Sequence, residues 1–163
     1  QMLEIRQHVS SDWSRIWDIL RPEFRKGETV AFSPNISEKD AHTAWIEIPT
    51  RTYVAIDDSN TILGTYYIKP NQPELGSHVC NCGYVVATDA RGKGVASSMC
   101  GHSLQTAQEL RFAAMQFNLV VSTNEVAVRL WQKYGLDIVG TLPKAFRHAQ
   151  HGLVDAYVMY KAF

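Results

Sequence analysis

The sequence has no surplus of charge of either sign and no long apolar run, and each absence removes a class of function. Its 163 residues contain 16 basic and 16 acidic side chains, so that the formal net charge is zero. A general nucleic-acid-binding surface needs an excess of Lys and Arg, and we therefore expect no nucleic-acid partner. No apolar stretch approaches the roughly 20 residues of a membrane-spanning helix, so that no membrane association is expected.

The cysteines favour neither disulfides nor a metal site. Cys80, Cys82 and Cys100 are odd in number, and the sequence contains no Cys-x-x-Cys pair. Cys80 and Cys82 alternate on a predicted strand, which is too close a spacing for a metal pair without further ligands. The N-terminus lacks a basic segment followed by an apolar core, so that no signal peptide is predicted. We expect buried, reduced thiols in a cytoplasmic protein that holds no metal.

Hydrophobic periodicity predicts a single α/β domain with a mixed sheet (α+β) over residues 1–163. The predicted strands are 3–7, 51–56, 62–68, 78–86, 114–121, 138–142 and 155–160. The first predicted helix begins after N-cap candidates at 10–12 and stops near Pro22. The other predicted helices are 37–48, about 95–110, and 124–133. The order is β-α-α-β-β-β-α-β-α-β-β. Only its middle contains a β-α-β crossover, and we expect helices on both faces of the sheet.

The most informative segment is the junction at 85–96, where an apolar strand leads through a glycine-containing turn into an amphipathic helix. A helix N-terminus presents unpaired backbone N–H groups, and the helix dipole favours an anion there. Gly92 and Gly94 have no side chain that would keep a phosphate away from this backbone. The P-loop and dinucleotide-binding spacings are both absent. The junction therefore suits a pyrophosphate carried by another class of ligand.

Two motifs indicate that class by resemblance. Residues 91–96, Arg-Gly-Lys-Gly-Val-Ala, fit the pattern Gln/Arg-x-x-Gly-x-Gly/Ala. About thirty residues later, 124–136 resembles Asn-x-x-Ala-x-x-Leu-Tyr-x-Lys-x-Gly-Phe, and the order and spacing of the two blocks agree with one family. That family is the GCN5-related N-acetyltransferases (GNAT). The resemblance implies acetyl-CoA as co-substrate and a fold whose fourth and fifth strands splay apart around the pantetheine arm.

The resemblance also assigns positions to the coenzyme. The backbone N–H groups expected to hold the pyrophosphate are those of Gly92, Lys93, Gly94, Val95 and Ala96. Backbone groups of Val86 and Thr88 are expected to pair with the pantetheine amides. Asn124 is a helix N-cap by its position, and the family adds a contact with the coenzyme arm. The Lys93 side chain either adds charge or is solvated, and that of Arg91 either contributes to binding or only caps the turn.

Acid and base candidates are few. Transfer of an acetyl group from a thioester to an amine needs a deprotonated amine and a stabilised oxyanion and thiolate. The family's tyrosine, a candidate general acid, is replaced by Trp131, whose indole cannot act as an acid at neutral pH. Tyr134 lies about 60° further around the helix and is either a substitute acid or a packing residue. The strand 78–86 contains no Asp or Glu where many relatives keep a base, which leaves His78 at its start.

Two asparagines inside apolar strands point to a polar pocket. Asn81 and Asn118 lie in neighbouring central strands, where a buried amide is costly unless it is hydrogen-bonded. One alternative is that each asparagine makes hydrogen bonds at a separate irregularity of the sheet. The other is that the two form an acceptor site, in which they orient the acceptor, polarise the thioester carbonyl or hold a water. A loop over 24–34 is expected to wall that pocket by analogy of fold, and Arg147, His148 and His151 are solvated loop residues or a further wall.

A narrower resemblance concerns the acceptor. The segments 66–73, 78–84, 117–120 and 154–156 together look like fungal acetyltransferases that detoxify proline analogues. In that group, asparagines that match Asn81 and Asn118 line the acceptor site. The expected function is therefore direct transfer of an acetyl group from acetyl-CoA to the amine of a small, amino or imino acid-like molecule. Two alternatives remain, a protein lysine or N-terminal acetyltransferase and a non-catalytic acyl-CoA-binding sensor. A homodimer is a further expectation from the family.

Overall fold

A seven-stranded mixed sheet, in the order β1-β2-β3-β4-β5-β7-β6, organises the computed structural model, which describes residues 3–163. The strands are β1 (Glu4–Gln7), β2 (Arg51–Ile56), β3 (Ile62–Pro70), β4 (Val79–Val86), β5 (Ala114–Val121), β6 (Asp137–His148) and β7 (Gly152–Ala162). The helices are α1 (Trp13–Lys26), α2 (Glu38–His42, continued by a π-helical turn at Thr43–Glu47), α3 (Val95–Glu109) and α4 (Glu125–Lys133). This element order confirms the one predicted from the sequence.

Consecutive tyrosines of β3 show that helices cover both faces of the sheet, as predicted. Successive side chains of a strand point to opposite faces. The Tyr66 hydroxyl lies 2.7 Å from Nδ1 of His102 in α3. The Tyr67 ring packs edge-on against Trp45, in the π-helical turn after α2, with a centroid distance of 4.7 Å. The core therefore lies in two layers, one on each side of the central strands. No helix within residues 3–163 combines the length and the hydropathy of a membrane span.

α1 continues past Pro22, where the sequence predicted its end. It runs to Lys26 and stops at Gly27, whose φ of 67° lies in the left-handed region that glycine adopts without strain. A proline inside a helix removes a backbone hydrogen bond and costs about 3 kcal/mol. Phe24 is fully buried and stacks on Phe32, and burial of such a side chain contributes about 1.5–3 kcal/mol. Packing of the last turn against the core therefore offsets the proline.

The predicted N-cap residues of α1 have a different role. Ser10–Asp12 form a 3-10 turn before the helix, and no side chain caps its first turn. The Asp12 carboxylate instead accepts two hydrogen bonds from the Arg6 guanidinium, at 2.8 and 3.0 Å, and one from the backbone N–H of Val9. The hydrogen bond to Arg6 is the main reason why the pKa of Asp12 is lowered. This acid ties β1 to the start of α1.

The last two strands are longer than the sequence predicted. β6 and β7 form one hairpin of 12- and 11-residue strands, whereas alternation predicted strands only over 138–142 and 155–160. The register between the two strands shifts between Leu142 and Phe146, and Lys144 there has a positive φ of 53°. Because this irregularity interrupts the alternation of apolar and polar residues, the sequence pattern did not predict the distal half of the hairpin.

β4 and β5 separate almost as soon as they meet. They are the parallel neighbours in the sheet, and their pairing consists of Val79 with Ala114 and Cys80 with Met115. Beyond Cys80, the edge of β4 that faces β5 has no strand partner among residues 3–163, although its other edge pairs with β3 as far as Val86. This is the splay that the family resemblance implied, and it opens a cleft in the middle of the sheet.

Candidate active site

The cleft between β4 and β5 has a volume of about 1070 Å³. The sequence-predicted site residues that line it are Asn81, Val86, Arg91, Gly92, Gly94, Val95, Ala96, Asn118 and Asn124. Thr88, Lys93 and Tyr134 lie outside its lining. The fold thus brings the predicted coenzyme positions other than Thr88 and Lys93, together with both asparagines, to one continuous surface.

The turn before α3 leaves its backbone N–H groups open. Gly92 and Gly94 have φ angles of 76° and 77°, and a Cβ atom added at either would meet nothing within 4 Å. Among residues 3–163, no carbonyl or side chain accepts a hydrogen bond from the backbone N–H groups of 91–97. The first turn of α3 contains no acidic residue. This set of open donors at a helix N-terminus fits the pyrophosphate of acetyl-CoA.

Arg91 is bound to Glu23, a residue that sequence reasoning missed. Its Nη2 donates to the Glu23 carboxylate at 2.6 Å, and the Glu23 side chain is only 12% exposed. The same carboxylate accepts a hydrogen bond from the Thr29 hydroxyl and lies 3.1 Å from Nζ of Lys26. Arg91 therefore links the turn before α3 to the end of α1. Because the sequence predicted that the helix ends near Pro22, the last turn of α1 and the cleft position of Glu23 were not predicted.

Asn81 stands where the two strands part. It follows the last β4–β5 backbone pair and is 9% exposed. Its Nδ2 donates to the backbone carbonyl of Gln116 at 2.9 Å, and its Oδ1 accepts from the Tyr67 hydroxyl at 3.5 Å. The side-chain amide thus takes the place of the next backbone hydrogen bond between β4 and β5. Asn81 lines the cleft, and one N–H of its amide has no partner within residues 3–163.

Asn118 lies on the opposite wall but is exposed, so the prediction that it is buried was wrong. β5 shifts register against β7 between Phe117 and Val120, and this bulge turns Asn118 towards the cleft. Its Nδ2 donates to the Asn71 side-chain oxygen at 2.7 Å, and its Oδ1 accepts from Gln116 Nε2 at 2.9 Å. Hydrogen bonds therefore connect the side-chain amides of Asn71, Asn118 and Gln116 into a row, which Asn81 joins through the Gln116 carbonyl. This amide row lies at the end of the cleft where β4 and β5 part, which is its inner end.

Tyr67 forms the floor beneath that row. Its ring covers Gly83, where a Cβ atom would approach Cε2 to 2.5 Å, so that only glycine fits on β4 at this point. Burial raises the pKa of Tyr67 to about 12. The hydroxyl consequently stays protonated and acts as a hydrogen-bond donor to Asn81 rather than as a base.

Trp131, which replaces the family's tyrosine, is part of an aromatic wall. Its ring lies 4.8 Å from that of Tyr84 and 5.1 Å from that of Phe117, between centroids. The Tyr84 hydroxyl is bound to Ser103 at 2.6 Å, and burial raises the pKa of this tyrosine. The wall therefore supplies apolar surface to the cleft.

Tyr134 and His78, the acid and base candidates, lie away from the inner end of the cleft. The Tyr134 hydroxyl is 2.7 Å from that of Ser97, in the first turn of α3, and its ring packs beside Gly101. His78 is exposed before β4 and is not part of the lining. Among the described residues, Glu23 is the one carboxylate that lines the cleft, and no group of three potential metal ligands occurs there.

The wall predicted over 24–34 is narrower than expected. Its cleft-lining part is Thr29, Val30, Ala31 and Phe32. Phe24 is buried in the core, and Arg25, Lys26, Glu28, Arg147, His148 and His151 are absent from the lining. His148 is also buried, and its Nδ1 accepts hydrogen bonds from the backbone N–H groups of Gln150 and His151. The tip of the β6–β7 hairpin instead supports the loop from behind, through Ala149 N–H and the Gly27 carbonyl at 3.0 Å.

Comparisons with known proteins agree with this geometry. The profile of the Acetyltransferase (GNAT) family matches residues 13–136. N-acetyltransferase aca1 of Schizosaccharomyces pombe is 37% identical over 111 residues, which are 68% of this chain and 53% of that protein. The chain therefore spans about half the length of this relative.

Solved structures give the same result over the whole chain. A GCN5-related N-acetyltransferase from Kribbella flavida has a TM-score of 0.94 and 39% identity, covering 99% of this chain and 98% of that one. A GNAT superfamily phosphinothricin acetyltransferase from Sinorhizobium meliloti, solved in complex with AcCoA, shares the fold with a TM-score of 0.88 at 18% identity, covering 100% of this chain and 89% of that one. Taken with the splayed strands and the open turn before α3, these matches show that the chain belongs to the GNAT family of acetyltransferases.

Proposed function

We propose that the protein is an acetyl-CoA-dependent N-acetyltransferase whose acceptor is the amine of a small, amino or imino acid-like molecule. The observation that carries the proposal is the turn before α3, whose backbone N–H groups at 91–97 have no acceptor among residues 3–163 and open onto the cleft. These groups bind the pyrophosphate, and the unpaired edge of β4 beyond Cys80 receives the amides of the pantetheine arm. Bound acetyl-CoA supplies the thioester that the acceptor attacks.

The acceptor amine reacts at the inner end of the cleft. Its nitrogen forms the new bond to the acetyl carbon, and the carbon–sulfur bond breaks with its electron pair on sulfur. The proton released from nitrogen passes to water and ends on sulfur, which gives an acetamide and the free thiol of CoA. The unused N–H of Asn81 is the donor best placed to stabilise the negative charge that develops on the carbonyl oxygen.

Within residues 3–163, the lining of the cleft offers no free carboxylate to take that proton. Glu23 is held by Arg91, Lys26 and Thr29, the Tyr67 hydroxyl remains protonated, and asparagine is not a base. The acceptor therefore reacts from its neutral amine form, and the enzyme accelerates transfer chiefly by orientation and by hydrogen bonds.

A small acceptor is favoured over a protein because of the walls at the inner end. Thr29 to Phe32 and Trp45 line one side, and Asn71 lines another, where it accepts a hydrogen bond from Asn118. A lysine on a protein surface would need an open groove at this end. The apolar wall around Trp131 and the amide row together suit a compact molecule with both apolar and polar parts.

The test is release of free thiol from acetyl-CoA in the presence of four acceptor classes: simple amines, amino acids, imino acids, and peptides with a free lysine or N-terminus. We expect thiol release with amino or imino acids and mass spectrometry to show one added acetyl group. Acetylation of peptides alone would establish the protein acetyltransferase alternative. Tight acetyl-CoA binding in calorimetry without turnover on any class would establish a non-catalytic sensor.

A further inference from the structure

Lys69 is a cation at the inner end of the cleft that the coenzyme does not explain. It lies in β3 opposite Asn81 in the antiparallel register. It also shares a face of the sheet with Tyr67, two residues earlier. Its side chain lines the cleft, and Nζ lies 5.3 Å from the centroid of the Tyr67 ring. The ring holds the ammonium group beside the amide row by a cation–π contact.

Within residues 3–163, this cation forms no ion pair with the protein. None of the ion pairs found there includes Lys69. Glu23, the one carboxylate among the described lining residues, is already bound to Arg91 and Lys26. Lys69 is a half-buried residue whose ammonium group has three donors, and it is suited to an anionic partner from outside the chain.

A side-chain amide in the lining adds a hydrogen-bond donor of the same kind. Asn118 lines the cleft together with Lys69 and uses one of its two side-chain N–H groups on Asn71. It therefore retains one donor, while the free N–H of Asn81 is left for the thioester carbonyl. An ammonium group and an amide N–H in one lining suit a carboxylate, whereas a positively charged acceptor group would be repelled by Lys69.

We propose that Lys69 binds the carboxylate of the acceptor and so makes the enzyme select α-amino or imino acids over amines that lack an acid group. The proposal rests on the proposed function, because it concerns the acceptor of that reaction. Binding of the carboxylate fixes one end of the acceptor on β3 and leaves its amine to face the acetyl group. Lys69 is in this sense a specificity-determining residue.

The test compares each acid with its uncharged amide, using L-proline with L-prolinamide and L-alanine with L-alaninamide. We expect the wild-type protein to prefer the acids in kcat/KM and Lys69→Met to reduce the acid-to-amide ratio by at least about tenfold, mainly through KM. Lys69→Arg should retain most of the ratio, because it keeps the charge. Lys39→Met, on the exposed start of α2 outside the cleft, is the matched control and should leave the ratio unchanged.

A binding measurement separates this proposal from the proposed function. Calorimetry with the CoA-saturated protein compares binding of L-proline and L-prolinamide without any need for turnover. Tighter binding of the acid that disappears in Lys69→Met supports the proposal even if no thiol is released. An acid-to-amide ratio that is the same in wild type and Lys69→Met, in binding or in turnover, would overturn it, and acetyl transfer to both compounds would leave the proposed function intact.

Discussion

The side-chain Nδ2 of Asn81 donates to the backbone carbonyl of Gln116 at 2.9 Å, immediately after β4 and β5 form their last backbone pair. A side chain thus closes the ladder at the point where the strands diverge. The same amide lies in the wall of the cleft that the divergence creates. Asn81 therefore has a structural partner on one side and an open donor on the other.

Replacement of Asn81 separates these two roles. We expect Asn81→Ala to lower kcat by about tenfold or more, because the donor for the developing charge is lost. Acetyl-CoA affinity should change little, since the turn before α3 is untouched. Steady-state kinetics and calorimetry measure the two quantities, and Asn35→Ala, an exposed amide outside the cleft, is the control. Normal turnover in Asn81→Ala would reduce this residue to a structural amide.

A substitution at Gly94 tests the proposal that the turn before α3 binds the pyrophosphate. Gly94→Glu places a carboxylate beside the open N–H groups and should abolish acetyl-CoA binding in calorimetry. Gly152→Glu is the matched control, because Gly152 also has a positive φ, of 70°, and open space around its Cβ position, but lies at the β6–β7 turn. Both variants carry the same charge and similar backbone strain. Equal loss of coenzyme affinity in the two would contradict the assignment.

The Glu23–Arg91 pair predicts a non-additive result. Arg91→Ala removes a cation near the phosphates and leaves the Glu23 carboxylate in the cleft lining with Lys26 but without its arginine partner. Because that carboxylate then repels the phosphates, the variant should weaken acetyl-CoA binding about tenfold, or roughly 1.4 kcal/mol. In the double variant Glu23→Gln with Arg91→Ala, that repulsion is gone and affinity should recover in part. Calorimetry on the four proteins measures the coupling. Strict additivity would show that the pair does not act on the coenzyme.

Tyr134 is predicted to be a packing residue despite its place beside the family's catalytic position. Its hydroxyl is committed to Ser97, and its ring packs beside Gly101. Tyr134→Phe should therefore leave kcat within about threefold of wild type and lower the melting temperature slightly, because one hydrogen bond contributes about 1 kcal/mol. A loss of kcat by orders of magnitude, with the coenzyme affinity preserved, would instead make Tyr134 the general acid.

The pH dependence follows from the lack of a free carboxylate base in the described lining of the cleft. Burial holds the pKa of Tyr67 at about 12, so this hydroxyl stays protonated in the usual assay range. The reactive species is the neutral acceptor amine, whose fraction increases as pH rises to the pKa of the acceptor. We expect kcat/KM to rise with pH and to level off at a value that tracks each acceptor's own pKa. A fixed inflection near about 6.5 for every acceptor would reveal a histidine base.

The sequence predicted the framework well because its strongest signals are local. The glycines of the turn before α3, the N-cap at Asn124 and the alternation of the central strands each depend on neighbouring residues alone, and the structure has the turn, the cap and the strands where they were expected. The element order followed from these signals together with the family resemblance.

The remaining features depend on contacts between distant parts of the chain. Pro22 argues locally against a helix, but packing of the last turn of α1 against the core, with Phe24 buried, offsets it, and Glu23 reaches the cleft as a result. Asn118 looked buried because the residues around it are apolar, whereas a register shift against β7 exposes it. Neither the packing of α1 against the core nor the register shift of β5 leaves a signal in the hydrophobic periodicity of the sequence.

The account depends most on the open N–H groups at the start of α3, and an amide ¹H–¹⁵N correlation spectrum recorded during titration with acetyl-CoA tests them directly. We expect the largest shifts at Gly92, Gly94 and the first residues of α3, with smaller shifts along the edge of β4. The exposed hairpin around Gly152 should remain unchanged. Saturable binding that leaves the signals of 91–97 in place and perturbs another surface would contradict the assignment of this turn as the pyrophosphate site.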